Sequence, residues 1–186
     1  MYNEIIISSG GIKGISLLGA LYCFSLKYSF NNIKYFTGCS IGSLICTLLI
    51  LNYSVNDIKN IMISKNFIQY HDFNILRLIN NFGLDNNIGL YNILCELFIF
   101  KNFDINITFL QLFKLTNKIL TITVSNISTY NIEYHNVFNT PNNKIISSLL
   151  ASGCIPFIHM PQYINTSMYI DGGLYNSFPF SYIKNT

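Results

Sequence analysis

The chain has 186 residues, 51% of them hydrophobic and only 10% charged, with a net charge of +3 and a mean hydropathy of +0.38. That length suits one domain with a single substantial core, and that composition excludes an intrinsically disordered chain. Scattered lysines remove the footprint of a nucleic-acid-binding protein, and no run reaches the roughly 18 uninterrupted apolar residues of a membrane-spanning helix.

The elements alternate along the chain. Glu4 to Ile7 is a short β-rich run that leads into a glycine-containing loop, Ser8-Ser9-Gly10-Gly11-Ile12-Lys13-Gly14. Ile15 to Tyr28 has helical spacing, with Leu17, Leu18, Leu21 and Phe24 on one face. Lys34 to Thr37 predicts a second strand. Ile41 to Leu51 predicts a core helix, too short and too interrupted by Gly42, Ser43 and Thr47 to cross a bilayer. Strand, helix, strand, helix argues for parallel β-α-β units with right-handed crossovers, an α/β fold. Val55 to Phe113 reads as mostly helical, with breaks near Asn80-Asn81 and Asp85-Asn86-Asn87 and a capping box at Thr108-Phe109-Leu110-Gln111. Lys118 to Asn126 alternates as a strand does, Ser128 to Asn131 offers a turn, and a partner strand is expected near Glu133 to Phe138. Lys144 to Ser152 is helical, stopped by Gly153 with Pro156 just beyond. Met168 to Ile170 is a last short strand running directly into Asp171-Gly172-Gly173. No repeat or linker divides the chain, so residues 1–186 are expected to form one domain.

The N-terminus, Met1-Tyr2-Asn3-Glu4, lacks positive charge before its apolar run, so no secretory signal and a cytoplasmic chain are expected. The five cysteines, Cys23, Cys39, Cys46, Cys95 and Cys154, are odd in number and show no C-x-x-C pairing. They read as free thiols, mostly buried, in a reducing compartment, rather than as disulfides or zinc ligands. The apolar, aromatic-rich composition suits a lipid-facing surface and a large core equally well.

Chemistry concentrates in three local patterns. Gly38-Cys39-Ser40-Ile41-Gly42 is a G-x-S-x-G pentapeptide between a predicted strand and a predicted helix. A serine on such a turn presents its hydroxyl outward, beside the unpaired amides of a helix N-terminus. A nucleophilic serine then requires an oxyanion hole and a base. The loop after the first strand lacks the spacing of a Walker loop, G-x-x-x-x-G-K-[ST], and of a dinucleotide loop, G-x-G-x-x-G. Two uses remain for it: a pair of amide donors at Gly10 and Gly11, or a turn that merely lets a helix pack closely on a strand.

For the base, the usual order of Ser, then Asp or Glu, then His fails for Asp171, because His71, His135 and His159 all precede it. Asp72, Asp85 or Asp104 with His135 or His159 satisfies that order formally. Asp171 itself falls on a turn at the carboxyl end of a strand, the edge at which open α/β sheets bind ligands.

Taken in order, S-G-G-I-K-G at residues 9–14, G-C-S-I-G at 38–42 and D-G-G at 171–173 resemble the patatin-like phospholipase family. Thr121 to Thr129, Ala151-Ser152-Gly153-Cys154-Ile155-Pro156 and Asn176-Ser177-Phe178-Pro179 are similar to further family segments, so the resemblance spans nearly the whole chain. It implies a three-layer α/β/α sandwich with a mainly parallel central sheet. It also implies a Ser40-Asp171 dyad without histidine and an oxyanion hole from the amides of Gly10, Gly11 and Ile12. Lys13, Gly14, Gly38, Gly42, Gly172 and Gly173 then support these motifs. The implied activity is a calcium-independent, phospholipase A-type hydrolysis of acyl lipids at a peripherally contacted membrane, with no cofactor and no metal. A soluble esterase or thioesterase with the same dyad, and a catalytically impaired lipid-binding module, are the alternatives. Two departures stand out. Ser9 occupies the place of the family's first loop glycine, where a positive φ would strain it. The chain also stops at Thr186, soon after the N-x-x-P segment, so the domain reads as compact or truncated at its C-terminus.

Overall fold

Apolar runs of alternating period build a three-layer α/β fold around one sheet. It is seen in a computed structural model that describes residues 2–64 and 72–183. The strand β1 (Glu4–Ile7) leads through a single 3-10 turn at Gly11–Lys13 into α1 (Gly14–Ser25). Then come β2 (Tyr35–Cys39) and α2 (Ile41–Ile50). From Gly42 to Ile50 every residue of α2 is buried, which explains its nearly unbroken apolar sequence. Its buried Thr47 hydroxyl donates to the Ser43 carbonyl, leaving no polar orphan. Side chains as enclosed as Ile45 and Leu48 each contribute about 1.5–3 kcal/mol.

The middle of the chain is helical as expected, in α3 (Val55–Ser64), α4 (Ile75–Asn81), α5 (Ile88–Phe100) and α6 (Phe109–Thr116). The predicted capping box at Thr108 and Gln111 opens α6. A short strand β3 (Gly83–Asp85), unforeseen in the sequence, interrupts the series. It owes its form to a parallel pairing with β6 (Phe157–His159), a partner more than seventy residues away by the register Asp85 to His159. The C-terminal half supplies β4 (Ile119–Asn126), β5 (Asn131–His135), α7 (Ile145–Ser152), β6, β7 (Gln162–Ile164), β8 (Ser167–Asp171), α8 (Gly173–Asn176) and α9 (Phe180–Ile183). β5 ends at His135 rather than Phe138. The Asn136 side chain accepts the Phe138 and Asn139 amides, both at 2.9 Å, and turns the chain out of the ladder.

β1, β2 and β4 are parallel neighbours, as a β-α-β order requires. β5, β7 and β8 join antiparallel, so the sheet is mixed, and the parallel arrangement expected for it holds for the first three strands only. The β4–β5 and β7–β8 connections are hairpins, which fixes the opposite direction within each pair.

One feature of the register positions the site. Ile122 of β4 pairs with Gly38 on one side and His135 on the other, while Val124 pairs with Asp171 and with Glu133. β5 occupies one edge of β4 from Ile122 to Asn126, while β2 and β8 share the other edge in succession. They run toward each other, and their carboxyl ends, Cys39 opposite Thr123 and Asp171 opposite Val124, abut.

Candidate active site

The abutting strand ends carry Ser40 and Asp171. β2 continues to Cys39, two residues beyond the predicted strand end, because β1 holds Gly38 and β4 holds Gly38 and Cys39 in their ladders. The chain then reverses into α2 at a single residue. Ser40 adopts φ 54 and ψ −123, a conformation that glycine takes readily and an L-residue takes at a cost of about 1–3 kcal/mol. The turn is closed by close approach. A Cβ on Gly42 would lie 2.3 Å from the Ile7 carbonyl oxygen and 2.6 Å from that of Ser8. One on Gly38 would lie 2.5 Å from the Ser43 nitrogen. Both obstacles are backbone and cannot swing aside. Gly42→Ala is therefore expected to destabilise the fold by about 3 kcal/mol or more. A urea midpoint matching the wild type would refute this account of the elbow.

The strained turn aims the hydroxyl at Asp171. Ser40 Oγ donates to Asp171 Oδ2 at 2.6 Å. The other carboxylate oxygen, Oδ1, accepts the Gly173 amide at 2.7 Å, and the Asp171 amide donates to the Cys154 carbonyl at 2.8 Å. Asp171 is 8% exposed. Burial raises its carboxyl above the ordinary carboxylate value, and the bonds from Ser40 and Gly173 offset part of that rise. The neighbouring thiols of Cys39 and Cys154 are pushed up to about 12, by burial first and by the Asp171 carboxylate second. They stay protonated near neutrality and are poor nucleophiles.

The glycine loop lies against both partners. Gly11 takes φ +51 at the start of the 3-10 turn. The position that a Cβ of Gly14 would occupy is 2.6 Å from the Ile41 side chain, and that of Gly10 is 3.6 Å from it. At the other end of the loop, the Ser9 amide donates to the Ser177 carbonyl at 2.8 Å, and the Ser9 side chain sits 3.3 Å from where a Gly173 Cβ would be. The amides of Gly10, Gly11 and Ile12, and those of Ile41 and Gly42 at the start of α2, donate to no group among the described residues. Ser9 is not among the non-glycine residues of positive φ, so the strain feared for a serine there does not arise.

The histidines are engaged elsewhere. His135 is fully buried, with Nδ1 3.0 Å from Ser148 Oγ and Nε2 3.5 Å from Glu133. Burial lowers its pKa against the opposing pull of Glu133. His159 Nδ1 accepts the Ile155 amide at 3.2 Å. His71 lies outside the described residues. Of the formal alternatives, Asp85 accepts the Asn87 amide in a local turn and the Asp72 amide thirteen residues back, and Asp104 accepts the Asn106 amide in a local turn.

Sequence reasoning gave no role to Ser152. Its Oγ accepts the Ser40 amide at 2.9 Å, donates to the Thr123 carbonyl at 2.7 Å and lies 3.1 Å from Ser43 Oγ. It thus ties the elbow to the strand along which Asp171 is paired. The signal available was the A-S-G-C-I-P segment, which marks the helix end without revealing what the serine touches.

A family model for patatin-like phospholipase matches residues 5–183. The chain belongs to this family. Among curated relatives, the patatin-like chain is 33% identical to "Probable lipid hydrolase 463L" of Invertebrate iridescent virus 6, over 96% of its own length and 62% of that protein's. It is 29% identical to "Uncharacterized protein R571" of Acanthamoeba polyphaga mimivirus, over 96% and 60%. The chain thus spans about three fifths of the length of these relatives. In fold it is similar to VipD from Legionella pneumophila, with a TM-score of 0.68 at 16% identity, covering 96% of this chain and 47% of that one. ExoU of Pseudomonas aeruginosa, in complex with SpcU, gives a TM-score of 0.57 at 16% identity, covering 81% and 38%. Among the described residues, no helix of this patatin-like chain is long and apolar enough to cross a membrane.

Proposed function

We propose that this chain is a calcium-independent lipid acyl hydrolase that cleaves fatty-acyl esters of glycerophospholipids with a Ser40-Asp171 dyad. The observation that carries this is the 2.6 Å hydrogen bond from Ser40 Oγ to Asp171 Oδ2, made by a serine held in a strained elbow. Family membership supplies the lipid ester as the substrate class.

The residues divide the chemistry as follows. Asp171 takes the Ser40 proton as Oγ attacks the ester carbonyl carbon, forming the tetrahedral adduct. The amides of Gly10, Gly11 and Ile12 receive the oxyanion, reinforced by the N-terminal end of α2. Collapse breaks the bond to the alcohol, which leaves with the proton from Asp171. Water, deprotonated by the same carboxylate, then attacks the acyl-serine, and collapse breaks the bond to Ser40 Oγ, which regains the proton from Asp171 as the fatty acid is released. The raised affinity of Asp171 for a proton suits this role, because a stronger base removes the serine proton more readily. Lys13, exposed in the glycine loop, is assigned to anchoring that loop or to meeting a lipid head group rather than to the reacting atoms.

Ser152 is assigned a positioning role. Ser152→Ala leaves the Ser40 amide and the Thr123 carbonyl without their partner in a dry environment, a loss of about 1–3 kcal/mol. The expected result is a fall in kcat of about 10- to 100-fold with KM little changed. Unchanged kcat would show that the elbow needs no such tether.

Fatty-acid release from phospholipid vesicles in excess chelator tests the whole proposal. Release that depends on added calcium, or cleavage of short soluble esters with vesicles untouched, would overturn it in favour of a metal-dependent enzyme or a soluble esterase.

A further inference from the structure

Three segments frame Ser40 and Asp171: the glycine loop at residues 8–14, the turn after α7 with β6 at 153–159, and α8 with its exit at 172–178. Hydrogen bonds join them at the site, from the Ser9 amide to the Ser177 carbonyl and from the Asp171 amide to the Cys154 carbonyl. Each presents large apolar side chains to solvent. Ile12 is 88% exposed on the first, Phe157 and Ile158 project from the second, and Leu174, Tyr175 and Phe178 from the third. Isolated exposed apolar residues are ordinary on any protein, whereas several gathered around one site mark a binding surface.

Phe157 holds φ +67 where β6 pairs with Gly83 of β3, and its ring is 67% exposed. Charge agrees. The three segments contain no aspartate or glutamate and carry Lys13, in a chain with eight acidic residues. Two clefts of about 560 and 330 Å³ lie around Tyr28, Tyr53 and Lys118 and around Tyr2 and Phe24, toward the amino ends of β2 and β4. Neither includes Ser40.

We propose that this rim docks onto a phospholipid bilayer, with the apolar side chains entering the boundary between headgroups and acyl chains and Lys13 at the level of the phosphates. The geometry matches that of interfacial anchors, which bury apolar area to a shallow depth and add attraction to anionic lipid. The ester bonds of a bilayer lie at that depth, so docking brings them to Ser40 without extracting a whole lipid. This deepens the lipid-hydrolase assignment and rests on it for its purpose, but binding is measurable without turnover.

The chain contains no tryptophan, so a single introduced indole reports its own surroundings. In the Ser40→Ala protein, Phe178→Trp and Phe157→Trp are expected to shift their emission to the blue on adding phosphatidylcholine vesicles containing phosphatidylserine, and to be quenched by brominated acyl chains. Leu115→Trp, on α6 near the amino end of β4, is the control: that site is equally exposed but is expected to show neither effect. Leu174→Glu and Phe178→Glu are each expected to weaken vesicle partition about tenfold or more, whereas Leu115→Glu leaves it unchanged. Circular dichroism melting verifies that each variant is folded. Rim indoles that stay in water with vesicles present, or equal losses from Leu115→Glu, would overturn the docking surface. A chain that binds through this rim yet cleaves no ester would sink the hydrolase assignment alone.

Discussion

Replacing Ser40 by alanine is expected to lower fatty-acid release from phospholipid vesicles by at least about 10⁴-fold, the scale on which a lone nucleophile is lost from such a site. A fluorophosphonate probe that labels the wild type should leave the variant unlabelled. The motive is the geometry: one hydroxyl is hydrogen-bonded to one buried carboxylate, and the nearby thiols are held protonated. Activity that survives the substitution would remove Ser40 from the chemistry. The same position carries a second, structural expectation. Alanine inherits the strained φ of 54, while glycine does not. Ser40→Gly and Ser40→Ala both lose the hydroxyl, so their difference isolates the strain. After allowing for the extra freedom of glycine in the unfolded chain, the glycine variant should be about 1 kcal/mol more stable in urea unfolding. Equal stability would mean that the elbow is unstrained.

Asp171→Asn is expected to cost about 10³- to 10⁴-fold in kcat, because the amide keeps the shape of the site but cannot take the serine proton. Its pH behaviour follows from burial. The folded carboxyl binds its proton more tightly than the unfolded one, so hydrolysis by the wild type should fall in acid at a pH above the ordinary aspartate value. For stability the sign is opposite to that of a salt-bridged aspartate. A raised folded pKa contributes stability that is fully present below the unfolded value and is lost as pH rises through the folded value. At neutral pH the ionised, buried Asp171 therefore weakens the fold, and Asp171→Asn should be more stable than the wild type there. That advantage should shrink as the pH falls from the raised folded value to the ordinary aspartate value, and stay constant below it. Unfolding titrations of both proteins across this range test the sign, and an advantage that grows toward acid would reverse it.

His135 and His159 serve as controls in the same assays. One faces Ser148 and Glu133 and the other caps the Ile155 amide, so neither substitution should remove the proton acceptor of Ser40. A loss on changing either histidine as large as that for Asp171→Asn would restore a histidine triad.

Much of this molecule is written locally. The β-rich run at Glu4–Ile7, the alternation in Lys118 to Asn126, the largely apolar character of α2, the capping box before α6 and the glycine stop after α7 each depend on neighbours a few residues away. Periodicity and turn chemistry therefore disclose them. The serine elbow is legible in part for the same reason, since Gly38 answers a steric demand within its own turn, whereas Gly42 yields to the Ile7 and Ser8 carbonyls of a distant segment. Short pieces such as β3 and β6 have no such signature, because each three-residue strand is stabilised by the distant strand that it meets.

The sequence by itself determined the order of elements, the strand-to-helix turn at Ser40 and a carboxylate on a turn at Asp171. The meeting of those two residues, 131 positions apart, was decided by tertiary structure alone. It depends on β8 joining β4 in the antiparallel sense on the edge that β2 vacates after Thr123. The proton affinity of Asp171 and the tether from Ser152 arise at that same junction. Burial and long-range hydrogen bonding exist only once the strands have paired, so no local pattern can encode them.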